Sequence, residues 1–265
     1  FHDEISRLRS RDDAIRFLEP VLNKDDPDPN LTAKLALLEA YNKYPARAMQ
    51  RLNALPRQLQ TDKVNITRAK IIWAAGRPGN ALAELENLAL ADSQIEAVLA
   101  QAGLLYDLHR EWKIPPLLAR IFVELQHSGG AERKLAWCLL ALAHIRAGDD
   151  AAARTVVAEF KRNEPVDLAP DILLVMIEQA ARRTAAKDAA TALLGARLRD
   201  FQPNSELIRP ALLDEVPSTA WRMAWEARPS NRILLLKLAK ALFREGRIAD
   251  AGLVFEQSAN FRETG

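Results

Sequence analysis

The sequence predicts an all-α fold in which short helices stack as repeated hairpins. Leu, Ala, Arg and Glu dominate the 265 residues, and there are only ten glycines. These residue types favour helices, and no stretch shows the alternation of apolar and polar residues that is typical of a strand. The apolar spacing indicates helices of about 10 to 15 residues, a length that is marginal in isolation. Stacking solves this problem, because each hairpin buries its apolar face against its neighbours.

The charge balance and the cysteine content exclude several classes of partner and site. Lys and Arg total 37 and Asp and Glu total 35, so neither nucleic acid nor an anionic membrane surface is an expected partner. Cys138 is the only cysteine, which excludes an internal disulfide and a cluster of cysteine metal ligands. The longest apolar run, residues 135–143, is shorter than the roughly 18 residues that a membrane-spanning helix needs. We therefore expect no part of this sequence to cross a membrane.

The first elements in chain order are incomplete hairpins. Residues 11–29 have the pattern of a second helix whose partner lies mostly upstream. Leu37 and Tyr41 belong to a shortened hairpin that continues through PARAMQRLNAL. The chain opens with Phe1 and shows no charged-then-apolar leader. We expect it to be part of a longer protein and to begin partway through an array of hairpins.

One predicted hairpin spans residues 137–165, where large, small and turn-forming residues follow one another at helical spacing. Its key positions are Trp137, Leu140, Ala141, His144, Gly148, Ala153, Val157 and Pro165. Ala141 and Ala153 would let the two helices approach closely, because their side chains are small. Gly148 can adopt the left-handed conformation that ends a helix, so we expect the turn there.

The same spacing recurs on both sides of this hairpin. One copy is centred on Gly76 and has matching residues at Ala69, Ile72, Ala81, Leu85 and Leu88. The next turn position falls on Arg110, 34 residues beyond Gly76, and its first helix carries Leu99, Gly103 and Tyr106. A further copy near the end comprises Leu235, Leu238, Ala239, Leu242, Gly246, Ala251 and Phe255. Recurrence at a nearly constant interval predicts a repeat architecture.

Two stretches depart from this pattern. Residues 170–198 supply a helix pair without a turn glycine. Pro210 and Pro217 lie within residues 204–229, and proline interrupts a helix because it has no backbone N–H and its ring clashes with the preceding turn. We therefore expect truncated helices and irregular stacking there.

The recurring pattern resembles the tetratricopeptide repeat (TPR) family. In that family the first helix carries a large residue, a leucine, a small residue and an aromatic, a glycine makes the turn, and the second helix follows with a period of about 34 residues. The resemblance implies a TPR-like α-solenoid, a superhelix of about seven repeats forming a single continuous array over residues 1–265. The alternatives are another α-solenoid and an irregular helical domain.

The sequence offers no convergent set of catalytic or metal-binding groups. The four histidines are scattered without metal-ligand spacing at His2, His109, His127 and His144, and no glycine-rich loop of the kind that cradles phosphate is present. His144 occupies the aromatic position of its repeat, which favours a packing role. The acidic pairs at 12–13 and 149–150 each precede a predicted second helix, where they would cap it and complement its dipole. We therefore predict no catalytic residue, no metal, no cofactor and no enzymatic activity.

The resemblance places a binding surface on the first helices, which line the concave face of TPR superhelices. The partner-binding residues that it implies on this face are Lys63, Lys70, Trp73, Arg146, Arg182, Arg183, Lys240, Phe243 and Arg244. The apolar positions that the resemblance places on the same face are Ile66, Leu135, Cys138, Leu142, Ile145, Ile172, Val175, Ile233 and Leu236. Apolar positions bordered by these basic residues would suit an apolar, acid-flanked helix or loop of a partner protein. Two other interpretations stay open, because lysines and arginines on a helix often form only a solvated face, and some apolar positions could pack against neighbouring repeats.

One specialised TPR function is not expected. The carboxylate clamp that grips a chaperone's acidic terminus needs Lys and Asn at two positions of the first helix. Those positions hold Ile66 and Lys70 in one repeat and Cys138 and Leu142 in another. The clamp chemistry is therefore missing from both.

The function that follows is a protein-binding scaffold. The richness in Ala, Leu and Arg and the degenerate repeats resemble the periplasmic TPR regions of Gram-negative exopolysaccharide export proteins of the Pel type, which serve biofilm formation. That resemblance implies a periplasmic location, a parent protein anchored in the outer membrane, and a periplasmic polysaccharide deacetylase as docking partner. The alternatives are a helical support domain of an enzyme and a cytoplasmic TPR adaptor or secretion chaperone.

Overall fold

The computed structural model describes residues 11–22, 27–88, 95–127, 130–200 and 210–260, and no strand occurs among them. This confirms the predicted all-α class. The α-helices of these residues are α1 (Arg11–Leu18), α2 (Pro29–Tyr41), α3 (Pro45–Asn53), α4 (Asp62–Ala74), α5 (Pro78–Asn87), α6 (Ile95–Asp107), α7 (Ile114–Ala119), α8 (Phe122–His127), α9 (Gly130–Ala147), α10 (Asp150–Asn163), α11 (Ala169–Ala180), α12 (Thr184–Leu198), α13 (Pro210–Leu213), α14 (Ser218–Ala227), α15 (Arg232–Arg244) and α16 (Ile248–Asn260).

The chain divides into two compact units, Phe1–Glu132 and Arg133–Gly265. In the first unit α1 packs on α2, α2 on α3 and α4, and α4 on α5 and α6. Helix α6 also packs on α5 and α7. Each of these contacts joins a helix to its neighbour or next neighbour in sequence, as expected for stacked hairpins. The continuity of the array over residues 1–265 and its superhelical shape stay predictions.

The second unit follows the same nearest-neighbour rule. Helix α11 packs on α10 and α12, and α15 packs on α14 and α16. Trp137 of α9 stacks on Phe160 of α10, with ring centroids 5.1 Å apart, so these two helices form the hairpin that the sequence predicts. Phe160 and Trp221 are the largest fully buried side chains of this unit. Its core is therefore built around aromatic residues.

The described residues around Pro210 and Pro217 contain a short helix, as predicted. Helix α13 is only four residues long and begins at Pro210. Pro217 lies just outside α14 as its N-terminal cap residue, with an extended backbone. Proline fits at both positions because the first residues of a helix have no intrahelical partner for their N–H groups. Residues 204–209 of this predicted repeat lie outside the described residues.

A single type of turn recurs through both units. Its left-handed residues are Lys43, Gly76, His109, Gly148, Arg182 and Gly246, at intervals of 33, 33, 39, 34 and 64 residues. At each turn the left-handed residue donates its N–H to the carbonyl three residues earlier, and the next residue donates to the carbonyl five residues before itself. This is the Schellman hydrogen-bond pattern that closes a helix. Three of the five intervals, 33, 33 and 34, agree with the predicted period, and the intervals of 39 and 64 depart from it.

The turn residues agree with the sequence at the three glycines and differ at the turn predicted on Arg110. Gly76, Gly148 and Gly246 have φ angles of 78°, 73° and 77°, as glycine permits. The predicted turn at Arg110 is wrong by one residue, because His109 is left-handed (φ 55°) and Arg110 has φ −115°. In the helix pair without a turn glycine, Arg182 takes the left-handed conformation. A complete hydrogen-bond pattern offsets the steric cost of a side chain there.

Gly148→Val is expected to lower the free energy of unfolding by about 1 to 2 kcal/mol, because a β-branched residue strongly disfavours the left-handed conformation. No atom lies within 4 Å of a Cβ placed on Gly148, so the loss would be a backbone effect. Gly252→Ala is the matched control, since Gly252 lies within α16 with the same open space. That change should stabilise by about 0.5 to 1 kcal/mol. Equal melting temperatures for Gly148→Val and the unaltered protein would contradict the turn assignment.

Candidate binding surface

Helix α15 presents an exposed apolar stripe. Ile233, Leu236 and Phe243 are 37%, 38% and 63% exposed, and with Lys240 their spacing of 3, 4 and 3 residues places them on one side of the helix. Asn231 caps α15 by accepting hydrogen bonds from the N–H groups of Ile233 and Leu234. The stripe spans ten intervals, about 15 Å along the helix axis. We call Ile233, Leu236, Lys240 and Phe243 the α15 stripe.

Six other residues of α15 are buried, which fixes the direction in which the stripe faces. Leu234, Leu235, Leu238, Ala239, Ala241 and Leu242 are at most 3% exposed. They hold the helix between α14 and α16. Because these six residues face the core, the stripe is a solvent-facing apolar surface, whereas the outer face of a helix is ordinarily polar.

Two of the predicted basic residues, Lys240 of the stripe and Arg244 next to it, contact the segment that precedes α14. The Nζ atom of Lys240 lies 2.6 Å from Oδ1 of Asp214, and Arg244 donates to the carbonyl of Val216 at 2.8 Å. The Lys240 pair is largely exposed, so its contribution to stability is small. A partner carboxylate could therefore compete for Lys240 at little cost.

Two of the three predicted residues on α4, Lys70 and Trp73, contact residues of α6. Lys70 forms a 2.5 Å ion pair with Glu96, and Nε1 of Trp73 donates to Asp107 at 2.7 Å. A Cβ on Gly103 would lie 2.6 Å from Cη2 of Trp73, so the ring packs where only glycine leaves room. Lys63, in the first turn of α4, is exposed. The contacts of Lys70 and Trp73 thus have a structural explanation within the first unit.

The predicted residues of α9 and α11 lie at the ends of these helices. Arg146 is exposed in the last turn of α9, and Arg182 is exposed in the turn after α11. Arg183 forms 3.0 Å ion pairs with Asp150 and Glu178. Of the apolar positions assigned to the surface of α9 and α11, Cys138, Leu142, Ile172 and Val175 are buried, and Leu135 and Ile145 are half-buried. The four buried residues pack in the core, which is the alternative that the sequence left open.

The sequence gives no sign of the buried carboxylates that each unit contains. Glu39, Asp167, Asp171 and Glu178 are at most 2% exposed. Glu39 binds Arg51 at 2.7 Å and Arg47 at 2.9 Å, and Glu178 pairs with Arg154 as well as Arg183. Glu39 and Glu178 each lie four residues before a left-handed turn residue, where Ile72 and Leu242 stand in other repeats. Their cationic partners identify them as structural groups that link helices.

A four-residue charge cluster joins the start of α9 to the loop after α10. Glu164 accepts from Arg133 at 2.9 Å and lies 3.3 Å from Lys134, which also contacts Asp167 at 3.2 Å. Burial alone would raise the pKa of Glu164, but the hydrogen bonds from Arg133 and Lys134 hold it below its usual value of 4.5. Burial alone would likewise lower the pKa of Lys134, but its bonds to Asp167 and Glu164 raise it above 10.5.

Glu164→Gln should lower the free energy of unfolding at neutral pH and remove part of its acid dependence. A carboxyl group whose pKa is lowered by folding stabilises the protein above its unfolded value, here 4.5, and this stabilisation disappears as pH falls through the folded pKa. The difference between variant and unaltered protein should therefore vanish at the acid end of a denaturant series. Glu226→Gln, at an exposed position, is the control. A Glu164→Gln deficit that persists unchanged at acid pH would contradict the ion pairs.

Comparison with known proteins adds no relative. No protein-family model matches the chain, and a search of characterised proteins finds no match. The likeness to tetratricopeptide repeats therefore stays an interpretation of the residue pattern and of the hairpin geometry.

The described residues offer neither a cluster of metal ligands nor a candidate membrane span. Among the described residues, no group of three or more His, Cys, Asp or Glu is placed to hold a metal ion. Over the same residues, every helix is too short or too polar to be a candidate membrane span. The α15 stripe is an exposed apolar surface that includes two of the residues predicted to bind a partner, Lys240 and Phe243.

Proposed function

We propose that this chain is a non-catalytic scaffold that binds another protein through the α15 stripe. The observation that carries the proposal is the exposure of Ile233, Leu236 and Phe243 on one side of a helix in which six other residues are buried. Contiguous exposed apolar side chains are typical of interaction sites, because burying them against a partner releases the water that covers them. Phe243 is the most exposed of the three and is the expected anchor.

The partner that fits this stripe has an apolar segment flanked by acidic residues. Lys240 lies between Leu236 and Phe243 in the stripe, and Arg244 directly follows Phe243 in the sequence. Carboxylates beside the apolar segment would meet these cations and set the orientation of the partner. The apolar side chains would supply most of the affinity, since exposed ion pairs contribute little.

We further propose that the parent protein is a periplasmic, outer-membrane-anchored exopolysaccharide export protein of the Pel type, and that the partner is a periplasmic polysaccharide deacetylase. The support is the Ala-, Leu- and Arg-rich composition and the degenerate hairpins with a period near 34 residues. Docking of a polysaccharide-modifying enzyme on such a scaffold would hold it beside the export route. The scaffold would act through shape and many modest contacts.

Isothermal titration of the purified chain with a periplasmic polysaccharide deacetylase from the same organism tests this function. We expect saturable binding, and we expect Phe243→Ala and Leu236→Ala each to weaken it about tenfold, or about 1.4 kcal/mol. Tyr44→Ala removes an exposed aromatic residue of the first unit and is the control that should leave binding unchanged. Absence of binding would overturn the deacetylase as partner. Binding that tolerates both stripe variants would overturn the α15 stripe as its site.

A further inference from the structure

The first unit contains an open groove of about 650 Å³ between α5, α6 and α7. It is lined by Leu82 and Leu85 of α5 and by Val98 and Leu105 of α6. Each of these four side chains is largely buried in the core. At about 100° per residue, the face of α6 that lines the groove lies roughly 150° around the helix from the face that carries Glu96, Gly103 and Asp107 toward α4. The groove is therefore distinct from the surface predicted on α4 and lies in a different unit from the α15 stripe.

One side of the groove is formed by α7 and the turn before it. A 3-10 turn at Glu111–Lys113 precedes α7, which is six residues long and is followed after two turn residues by α8. Pro115 and Pro116 occupy the first turn of α7, where their missing N–H groups cost little because the first turn of a helix has no intrahelical partner for them.

The rim of the groove combines an exposed tryptophan with cations. Trp112 is 68% exposed, and Lys113 beside it is also exposed. Arg120 lies on the same α7 side, and Glu86 lies on the α5 side. Tryptophan is the residue type most enriched at binding hot spots, since it offers a large rigid apolar surface. The positive charge is thus concentrated on one edge of the groove, next to its largest apolar side chain.

We propose that this groove binds an acidic amphipathic helix of a partner protein. The apolar side of that helix would pack on the leucines that line the groove and on Trp112, in the helix-in-groove mode of recognition. Its carboxylates would face Lys113 and Arg120, while Glu86 disfavours acidic residues along the opposite edge. The lining supports this occupant, because apolar residues of α5 and α6 form one part of the groove and Trp112, Lys113 and Arg120 form another. This second site goes beyond the function proposed for the α15 stripe.

Fluorescence anisotropy with designed peptides tests the groove. The probe is a labelled helical peptide of about four turns that carries Leu and Phe along one side and Glu along one flank. The comparison peptide has Lys in place of each Glu. We expect the acidic peptide to bind the full chain and to bind at least about tenfold more weakly to Trp112→Ala and to Lys113→Glu. The basic peptide should bind weakly to the unaltered chain and more tightly to Lys113→Glu.

Both substitutions lie at exposed positions, so the variants should fold, and circular dichroism melts would verify this. Tyr44→Ala, at an exposed residue that lies outside the groove lining and outside the α15 stripe, is the control and should leave the affinity of the acidic peptide unchanged. Equal affinity for the two peptides, or affinity that survives both rim variants, would overturn the proposal. Loss of binding in Phe243→Ala would assign the peptide to the α15 stripe instead, and absence of binding up to about 1 mM would also overturn it.

Discussion

Phe160→Ala is expected to lower the free energy of unfolding of the second unit by about 3 to 5 kcal/mol. Phe160 has no exposed surface and stacks on Trp137, with an angle of 28° between the rings. Truncation would remove the apolar burial and leave a cavity, and it would also end the ring contact, which is itself worth about 0.5 to 1.5 kcal/mol. Because this pair joins α9 to α10, the loss should loosen the whole hairpin.

Urea unfolding followed by circular dichroism measures this effect, and Phe243→Ala is its matched control. The control makes the same substitution in the same unit at a residue that is 63% exposed. It should change the free energy of unfolding by no more than about 0.5 kcal/mol. If the two phenylalanine variants unfolded at the same urea concentration, the packing of α9 against α10 would be contradicted.

Glu39→Ala is expected to destabilise the first unit by about 2 to 3 kcal/mol, since it breaks a buried, charge-assisted pair by removing one partner. The Glu39 side chain is 1% exposed and accepts two hydrogen bonds from Arg51, which is itself largely covered. The pKa of Arg51 is raised, chiefly by its hydrogen bond to Glu39. Without Glu39, the Arg51 guanidinium would keep only the longer 3.3 Å contact to Glu19 and would bear most of its desolvation cost.

Thermal denaturation of Glu39→Ala beside Glu84→Ala separates this effect from the general loss of a glutamate. Glu84 lies 3.8 Å from Arg68 and is more exposed than Glu39, so its removal should cost no more than about 1 kcal/mol. Glu39→Gln keeps the side-chain shape and one acceptor oxygen and should fall between the two. Equal melting temperatures for the two alanine variants would show that Glu39 is not a structural link between α2 and α3.

The turns show how far residue type alone predicts this fold. Glycine at 76, 148 and 246 marks positions that need positive φ, because glycine alone reaches that region without steric cost. Lys43, His109 and Arg182 adopt the same conformation without any such mark. At these positions the packed helices on either side impose the turn, and the two hydrogen bonds of the Schellman pattern stabilise it. Sequence spacing placed one of them a residue too late, at Arg110.

The binding surface shows the limit of helical periodicity. The spacing correctly groups Ile233, Leu236, Lys240 and Phe243 on one side of a helix, and the structure exposes that side. The same reasoning placed Cys138 and Leu142 of α9 on a surface, but both are buried. Periodicity states which residues share a face, and it does not state which faces a neighbouring helix covers. The groove beside Trp112 was missed for the same reason, since it depends on how α5, α6 and α7 pack.

By itself, the sequence determined the all-α class, the hairpin period near 34 residues, and the glycine turns. These follow from local properties, namely helix propensity, apolar spacing and the backbone freedom of glycine. Tertiary structure alone decided that Glu39, Asp171 and Glu178 are buried with cationic partners, and that the stripe on α15 stays uncovered. The physical reason is that burial and ion pairing depend on the distance between groups from different helices, and that distance is set only when the helices pack.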